Sequence, residues 1–349
     1  MGFKIELSKS EEERAMRLHR EAIVVDTHCD TLMQLIPRIG AMRREMPRKL
    51  GERSERGHID LPRLIEGGVD CQTFAMYTGL APNYPLALKT ALQMVDAFYR
   101  SVEENKDKFV QVRTYEEIIK AKEEGKVAGL LSMEGAEPLM GDLGLLRVFY
   151  KLGLRMLSFT WNWRTEFADG LAASRTGGKL TPKGIEAMEE MRRLGIVLDV
   201  SHITDACFWD IVENTKVPFI ASHSNCRALC DVPRNLTDDM LRALADRGGV
   251  TGMNYAPFFI LPREKLRAGQ KATVEDLVDH IDHIVEVVGP DHVGLGSDFD
   301  GIGQPPVGLE DVSKVPNITR VLVKRGYSDE DIKKILGGNF LRVFKQVLK

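Results

Sequence analysis

Histidine and carboxylate residues close several short apolar runs in this chain, and together these residue types bind divalent metal ions. The residues are His28, Asp30, Glu134, His202, His223 and Asp298. His28 and Asp30 are two apart, so in a strand their side chains share a face and can bind one ion. Imidazole and carboxylate ligands suit Zn²⁺ or a similar divalent ion. The set predicts a metal-dependent hydrolase.

Glu134 has a central place among these candidate ligands. It ends an apolar run, where a carboxylate is costly to bury unless it is paired or metal-bound. His202 and His223 are one strand–helix–strand unit apart and are expected at equivalent places on neighbouring strands. With five candidate ligands, we expect two Zn²⁺ ions per chain, or two of another divalent metal, bridged by Glu134. Glu134 is therefore predicted to be catalytic as well as a ligand.

Two further residues have types that suit amide hydrolysis. Asp298 can take a proton from the attacking water and pass it to the leaving nitrogen. Asp300 shares the same strand face, so the sequence leaves the choice between the two open. Arg234 follows the sixth apolar run and is expected to overhang the site, where a guanidinium can hold a carboxylate by two hydrogen bonds.

Eight apolar runs must position these residues. They are 23–30, 69–77, 127–135, 154–162, 196–202, 218–225, 249–256 and 292–301. Helix-like segments alternate with them, and this alternation predicts an α/β fold with a parallel sheet closed into a (β/α)8 TIM barrel of the metal-dependent hydrolase type. All strand carboxyl ends of such a barrel open on one face, so residues far apart in the sequence meet there. We expect one domain over 1–349, with long active-face loops near 32–60 and 301–317.

Composition limits the partners and the compartment. The net charge of −3 gives no electrostatic case for binding nucleic acid. No stretch approaches the roughly 18 apolar residues of a membrane span, so no membrane association is expected. The five cysteines lack disulfide-framework spacing and indicate a cytoplasmic protein with structural thiols.

From about Ile23 to Phe344 the sequence resembles the membrane dipeptidase (renal dipeptidase) family of zinc metallopeptidases. The motifs that carry the resemblance are Asp26-Thr27-His28-Cys29-Asp30, Gly57-His58-Ile59-Asp60-Leu61-Pro62-Arg63-Leu64, Ser132-Met133-Glu134-Gly135, Leu198-Asp199-Val200-Ser201-His202, Ala221-Ser222-His223-Ser224, Arg234-Asn235, Gly296-Ser297-Asp298-Phe299-Asp300-Gly301 and Gly337-Gly338-Asn339.

The resemblance implies roles for individual residues. The first zinc would be held by His28, Asp30 and Glu134, and the second by Glu134, His202 and His223. Arg234 would bind the substrate's carboxylate and Asp298 would handle the proton. The implied reaction is hydrolysis of dipeptides, often with a D-residue at the C-terminal side, by a hydroxide that bridges the metals. A small peptide is thus the expected partner, and a homodimer is left open.

Two positions depart from the family's pattern. Trp161 stands where better-known members have a His that steadies the tetrahedral intermediate, so Asn162 or Arg164 would have to contact the substrate as oxyanion donor. Glu137 stands where relatives often have His. The alternatives left open are an N-acyl amino acid deacylase, another dinuclear-metal amidohydrolase, and a barrel that binds metal or peptide without turnover.

Overall fold

A computed structural model describes residues 4–39, 42–43, 47–79 and 84–349 of the chain. Within these residues there are eleven strands: β1 Val25–Cys29, β2 Arg38–Ile39, β3 Met42–Arg43, β4 Cys71–Tyr77, β5 Phe109–Gln111, β6 Val127–Glu134, β7 Leu154–Ser158, β8 Val197–Asp199, β9 Ile220–Ala221, β10 Val250–Met253 and β11 Val293–Leu295.

Eight of these strands close into a parallel barrel, in the order β1, β4, β6, β7, β8, β9, β10, β11 and back to β1. The predicted (β/α)8 barrel is confirmed. Strand β5 pairs with the first residues of β6, ahead of the stretch that pairs with β7. Strands β2 and β3 form a separate antiparallel pair in the loop after β1. Neither β5 nor this pair is among the eight predicted strands.

Helices surround the barrel and alternate with its strands. They are α1 Lys9–Glu21, α2 Leu32–Leu35, α3 Leu61–Glu66, α4 Tyr84–Glu104, α5 Tyr115–Glu123, α6 Leu143–Lys151, α7 Pro182–Leu194, α8 Asp205–Asn214, α9 Asp238–Asp246, α10 Pro257–Ile260, α11 Arg263–Arg267, α12 Val274–Val288, α13 Pro316–Lys324, α14 Asp329–Lys333 and α15 Asn339–Val347. Most of the longer ones begin at a Ser, Thr or Asp whose side chain accepts a backbone N–H of the first turn, as Thr273 does for α12.

The strands are shorter than the apolar runs that predicted them. The fourth run extends to residue 162, but β7 ends at Ser158, so Asn162 lies in the following loop. In the expected loop near 32–60, residues 40–41 and 44–46 lie outside the described residues. The expected loop near 301–317 contains a short turn of helix at Val312–Lys314 and the start of α13.

The core has two parts, and only one end of the barrel is left open for a site. All eight residues of β6 are buried, as expected for a strand covered on both faces. The first residues of several strands, including Val25 and Cys71, pack against Phe340 and Phe344 of α15. This helix therefore covers the amino-terminal end of the barrel, and the carboxyl ends of the strands form the other face.

Two further features concern the state of the cysteines and the length and apolar character of the helices. All five cysteines are buried and none forms a disulfide. In the described part of the chain, none of the helices has both the length and the apolar character needed to cross a lipid bilayer.

Candidate metal centre and substrate cleft

The five predicted metal ligands converge at the carboxyl ends of the barrel strands. The Nε2 atoms of His202 and His223 lie 2.9 and 3.3 Å from Oε1 of Glu134, and 3.1 Å from each other. Nε2 of His28 lies 3.8 Å from the same Glu134 oxygen and 3.7 Å from Oδ2 of Asp30. All five side chains are at least nine-tenths buried. Two groups of three possible ligands thus share Glu134, one with His28 and Asp30 and one with His202 and His223.

Hydrogen bonds at the far side of two imidazoles fix which nitrogen faces the cluster. Nδ1 of His223 lies 2.6 Å from Oγ of Ser222, whose hydroxyl donates to Oδ2 of Asp199 over 2.5 Å. The Ser222 oxygen then accepts the Nδ1 proton, which leaves Nε2 of His223 with a free lone pair. Oδ1 of Asn162 does the same for His202, at 3.1 Å from its Nδ1. Both Nε2 atoms are therefore prepared to bind a cation.

The other half of the cluster contains polar atoms that are buried without a partner. Nε2 of His28 and Oδ1 of Asp30 have no hydrogen-bond partner among the described residues. The His28 ring stacks on His223 at 3.7 Å between centroids, which joins the two halves. Buried polar groups are costly unless satisfied, and a metal ion would satisfy these two. The residues therefore fit a divalent metal centre.

The electrostatics of the cluster also call for positive charge. Burial lowers the pKa of His202 and of His223 well below the usual range, and Arg234 and His28 lower both further, so both imidazoles are neutral. Burial would lower the pKa of His28 too, but Glu134, Asp30 and Asp298 outweigh it and raise the pKa to about 10. Without a metal, the acids of the site retain a proton on His28 as their counter-charge. A divalent cation supplies more charge at the same place.

The backbone around the cluster is strained and tightly packed. His202, Asp298 and Asp300 all adopt positive φ angles, of 69°, 61° and 67°. Such conformations are unfavourable for residues other than glycine and concentrate at functional sites. Gly301 is required for a different reason, since a Cβ there would lie 2.0 Å from Oδ2 of Asp30 and 2.5 Å from Oδ1 of Asp298.

The structure distinguishes Asp298 from Asp300. Asp298 faces the cluster, with Oδ1 3.9 Å from Nε2 of His28, and it lines the cleft. Its Oδ2 accepts a 2.9 Å hydrogen bond from Nδ2 of Asn254, whose own Oδ1 accepts the backbone N–H of Ala256. Burial raises the pKa of Asp298 to about 6, although His28 opposes the shift. Asp298 is thus the acid that is placed to handle a proton.

Asp300 instead anchors the long loop after β1. Its Oδ2 accepts hydrogen bonds from Nη2 of Arg48 at 2.6 Å and from Oγ1 of Thr31 at 2.8 Å. Its Oδ1 accepts the backbone N–H of His58 at 2.7 Å, and its own N–H donates to Nδ1 of His58. The Asp300 side chain is fully buried. This acid therefore ties the loops after β1 and β11 together beside the metal centre.

Gly57 lies against this anchor and gives a stability prediction. Its φ is +68°, and a Cβ there would come within 2.4 Å of both Nη1 of Arg48 and Oδ1 of Asp300. Gly57→Ala is expected to lower the free energy of unfolding by about 3 kcal/mol, because it combines backbone strain with damage to a buried ion pair. Urea unfolding of the purified protein measures this loss.

Gly125 provides the matched control for Gly57. Its φ is +67°, and a Cβ there would meet no atom within 4 Å. Gly125→Ala should cost only the backbone term, about 1–2 kcal/mol. Equal losses in the two variants would mean that the contact with Arg48 and Asp300 contributes nothing.

Arg234 lies in the loop after β9 and is buried at the side of the cleft. Nη1 donates to Oγ of Ser224 over 2.5 Å, and the guanidinium lies 5.7 Å from the centre of the Phe259 ring. Nε and Nη2 have no hydrogen-bond partner among the described residues. These two atoms form the edge of the guanidinium that binds a carboxylate by two parallel hydrogen bonds. Arg234 is therefore placed to bind an anionic group next to the metal centre.

These residues surround a cleft of about 860 Å³. Its lining includes Asp30, Glu134, His202, Arg234 and Asp298, together with the aromatic residues Tyr77, Trp161, Trp163, Phe258 and Phe259. The predicted residues that are spread over the sequence are thus brought to one place. A cleft of this size suits a small molecule.

Asn162 and Arg164, the two residues expected to replace the family's His as oxyanion donor, are placed differently. Asn162 lines the cleft, and its carbonyl oxygen is used by His202. Arg164 is paired with Asp169, with Nη2 2.9 Å from Oδ2, and is not among the residues lining the cleft. Glu137 is buried beside Gly135, and burial raises its pKa to about 7. Contact of Asn162 with substrate stays a prediction.

Several residues that support the site are not predicted by the sequence pattern. Asp199 and Ser222 orient His223, and Asn254 orients Asp298. Asp199 closes a short apolar run two residues before the pair Ser201-His202, and an acid at this position is a sequence signal for a supporting role. Nothing in the sequence around Asn254 indicates its partner, because that partner belongs to the next strand of the barrel.

Comparison with known proteins gives concordant matches. Residues 12–349 match the family model described as membrane dipeptidase (peptidase family M19). An uncharacterized dipeptidase of Schizosaccharomyces pombe is 36% identical, over 96% of this chain and 83% of that protein. A Rhodobacter sphaeroides metallopeptidase, solved with a phosphinate mimic of the dipeptide L-Ala-D-Ala, is 29% identical with a TM-score of 0.83, covering 94% of this chain and 100% of that one. The probable dipeptidase PvdM of Pseudomonas aeruginosa is 26% identical with a TM-score of 0.86, covering 98% and 99% of the two chains.

Proposed function

This chain belongs to the membrane dipeptidase family of metallopeptidases, and we propose that it is a dinuclear zinc dipeptidase whose substrates include dipeptides with a C-terminal D-residue. Membership of this family makes the chain a peptide-bond hydrolase. The observation that carries the proposal is the convergence of five buried ligands, with partnerless atoms on His28 and Asp30, around the shared oxygen of Glu134. Five ligands that share the Glu134 oxygen suit two ions better than one.

The proposed ligand assignment follows the two groups in the structure. His28, Asp30 and Glu134 would hold one ion, and Glu134, His202 and His223 the other. When bound, divalent metals polarise the amide carbonyl and lower the pKa of water toward about 7, which supplies hydroxide near neutrality. Ser222 and Asn162 keep the two histidines in the tautomer that such binding requires.

Residues of the chain would bind the substrate and transfer the proton. Arg234 binds the C-terminal carboxylate of the substrate through Nε and Nη2, and this restricts substrates to short peptides or N-acyl amino acids. Asp298 takes a proton from the attacking water and delivers it to the leaving nitrogen. Asn254 donates to one oxygen of Asp298 and so keeps the other directed at the centre. The ligand of the Rhodobacter sphaeroides relative, a mimic of L-Ala-D-Ala, supports the proposal for the C-terminal D-residue.

A matched panel of substrates tests the proposal. Zinc-loaded protein is expected to cleave L-Ala-L-Ala and L-Ala-D-Ala, and to be inactive after exhaustive chelation until zinc is returned. Metal analysis is expected to give two zinc ions per chain. Cleavage of N-acetyl amino acids without cleavage of dipeptides would favour a deacylase, and bound metal without cleavage of any substrate would favour a binding protein.

Asn254 gives a prediction specific to the proton step. Asn254→Asp keeps the acceptor for Ala256 but replaces the donor to Asp298 with a second carboxylate. We expect kcat to fall about 10- to 100-fold with little change in KM, because Asn254 supports the catalytic acid and is not placed to touch substrate. Steady-state kinetics with a dipeptide measure both constants.

The controls for Asn254 separate orientation from folding. Metal content of Asn254→Asp should equal that of the wild type. A KM increase at constant kcat would contradict the assigned role.

A further inference from the structure

The cleft has two aromatic walls on opposite sides of the metal centre. Tyr77 ends β4 and pairs in register with Glu134, and Trp161 follows β7. Arg234 follows β9, and Phe258 and Phe259 follow β10. The order of strands in the barrel places β4, β6 and β7 together, across from β9, β10 and β11. The Tyr77–Trp161 wall is therefore opposite the wall that carries Arg234 and Phe259.

The Tyr77–Trp161 wall is preformed. The two rings pack at 5.3 Å between centroids with an angle of 58° between their planes. The Trp161 ring also lies 6.1 Å from the ring of His202, so it adjoins the metal centre directly. Met33 and Leu171 contribute further apolar lining to the cleft. A rigid aromatic surface beside the reacting atoms favours a flat apolar group over a small or charged one.

We propose that this wall binds a large apolar, preferably aromatic, side chain on the amino-terminal residue of the dipeptide. The inference rests on the proposed function, because it uses Arg234 to fix the direction of the substrate. The terminal carboxylate of the substrate lies at Arg234, and its scissile carbonyl lies at the metal centre around Glu134. The amino-terminal residue must therefore extend away from Arg234. It then meets Tyr77 and Trp161. Trp161 thus acts as a specificity-determining residue at the position where the sequence departs from the family's His.

The test compares kcat/KM for three dipeptides in each stereochemical series, namely Ala-Ala, Phe-Ala and Ala-Phe. For the wild type we expect Phe-Ala to exceed Ala-Ala by about 10- to 100-fold, the range that apolar contacts in a pocket provide. In Trp161→Ala this ratio is expected to fall toward one, while the ratio of Ala-Phe to Ala-Ala keeps its wild-type value. Trp161→Phe retains a ring and should retain most of the preference.

Phe258→Ala is the matched control, because Phe258 is 48% exposed and lies on the opposite wall. It should leave the ratio of Phe-Ala to Ala-Ala unchanged. Metal content, measured for every variant, shows whether the centre has formed. Equal cleavage of Phe-Ala and Ala-Ala by the wild type, or an unchanged ratio in metal-loaded Trp161→Ala, overturns the inference and leaves the dipeptidase proposal standing. Failure of the metal-loaded wild type to cleave any dipeptide overturns the proposed function instead.

Discussion

Glu134→Gln is expected to lower kcat by at least about 1000-fold, a loss of about 4 kcal/mol of transition-state stabilisation. Oε1 of Glu134 lies 2.9 Å from Nε2 of His202 and 3.3 Å from Nε2 of His223, and it is also 3.8 Å from Nε2 of His28. An amide has nearly the same shape but lacks the negative charge that a shared ligand needs to hold two cations. The measurement is steady-state hydrolysis of a dipeptide, together with metal content.

Glu137→Gln is the matched control for this change. Glu137 is a second buried acid three residues further along the chain, and it belongs to none of the candidate ligand groups. We expect this variant to retain its metal and to keep kcat within a few fold. Equal metal loss in the two variants would mean that any buried acid near this strand end affects the centre. Full activity of Glu134→Gln would remove Glu134 from the site altogether.

Stability of the metal-free protein separates loss of ligation from loss of folding. Burial raises the pKa of Glu134 well above its usual range, so its ionised form is unfavourable in the folded protein without metal. Glu134→Gln removes that group and should leave the urea midpoint of the metal-free protein unchanged or higher. Zinc should raise the midpoint of the wild type and have less effect on the variant.

The convergence of the five predicted ligands could be foreseen from the sequence because barrel geometry fixes where the strand ends lie. Parallel strands that close into a barrel bring their carboxyl ends together, so a His or an acid at the end of an apolar run is placed by the fold itself. His202, His223 and Glu134 follow this rule, and Nε2 of each histidine lies within 3.3 Å of Oε1 of Glu134. The prediction needed only the strand ends, and not the loops.

The choice between Asp298 and Asp300 could not be made in this way. The expectation that both acids share a strand face is wrong, because β11 ends at Leu295 and both acids lie in the following loop with positive φ angles. What separates them is Arg48, which lies 252 positions away and reaches only Asp300. Local patterns hold no information about such a partner. The sequence pattern also misplaces Asn162 at a strand end, because the apolar run continues past Ser158 although the strand ends there.

The second large effect is expected at Arg234. Arg234→Met keeps much of the apolar stem but removes Nε and Nη2, which have no partner among the described residues and are buried beside the cleft. Loss of a charge-assisted contact with the substrate carboxylate should lower kcat/KM for dipeptides about 100-fold or more, mainly through KM. Steady-state kinetics on L-Ala-D-Ala measure the change.

Two comparisons show whether this loss belongs to the carboxylate contact. Arg263 is an exposed cation that also lines the cleft, and Arg263→Met should change kcat/KM only a few fold, because an exposed charge is well screened by water. A dipeptide amide has no terminal carboxylate, so the wild type should cleave it poorly and Arg234→Met should cleave it about as well as the wild type does. If the variant loses the same factor on the amide as on the free dipeptide, Arg234 acts through the architecture of the site, since a direct contact would be lost only with the carboxylate present.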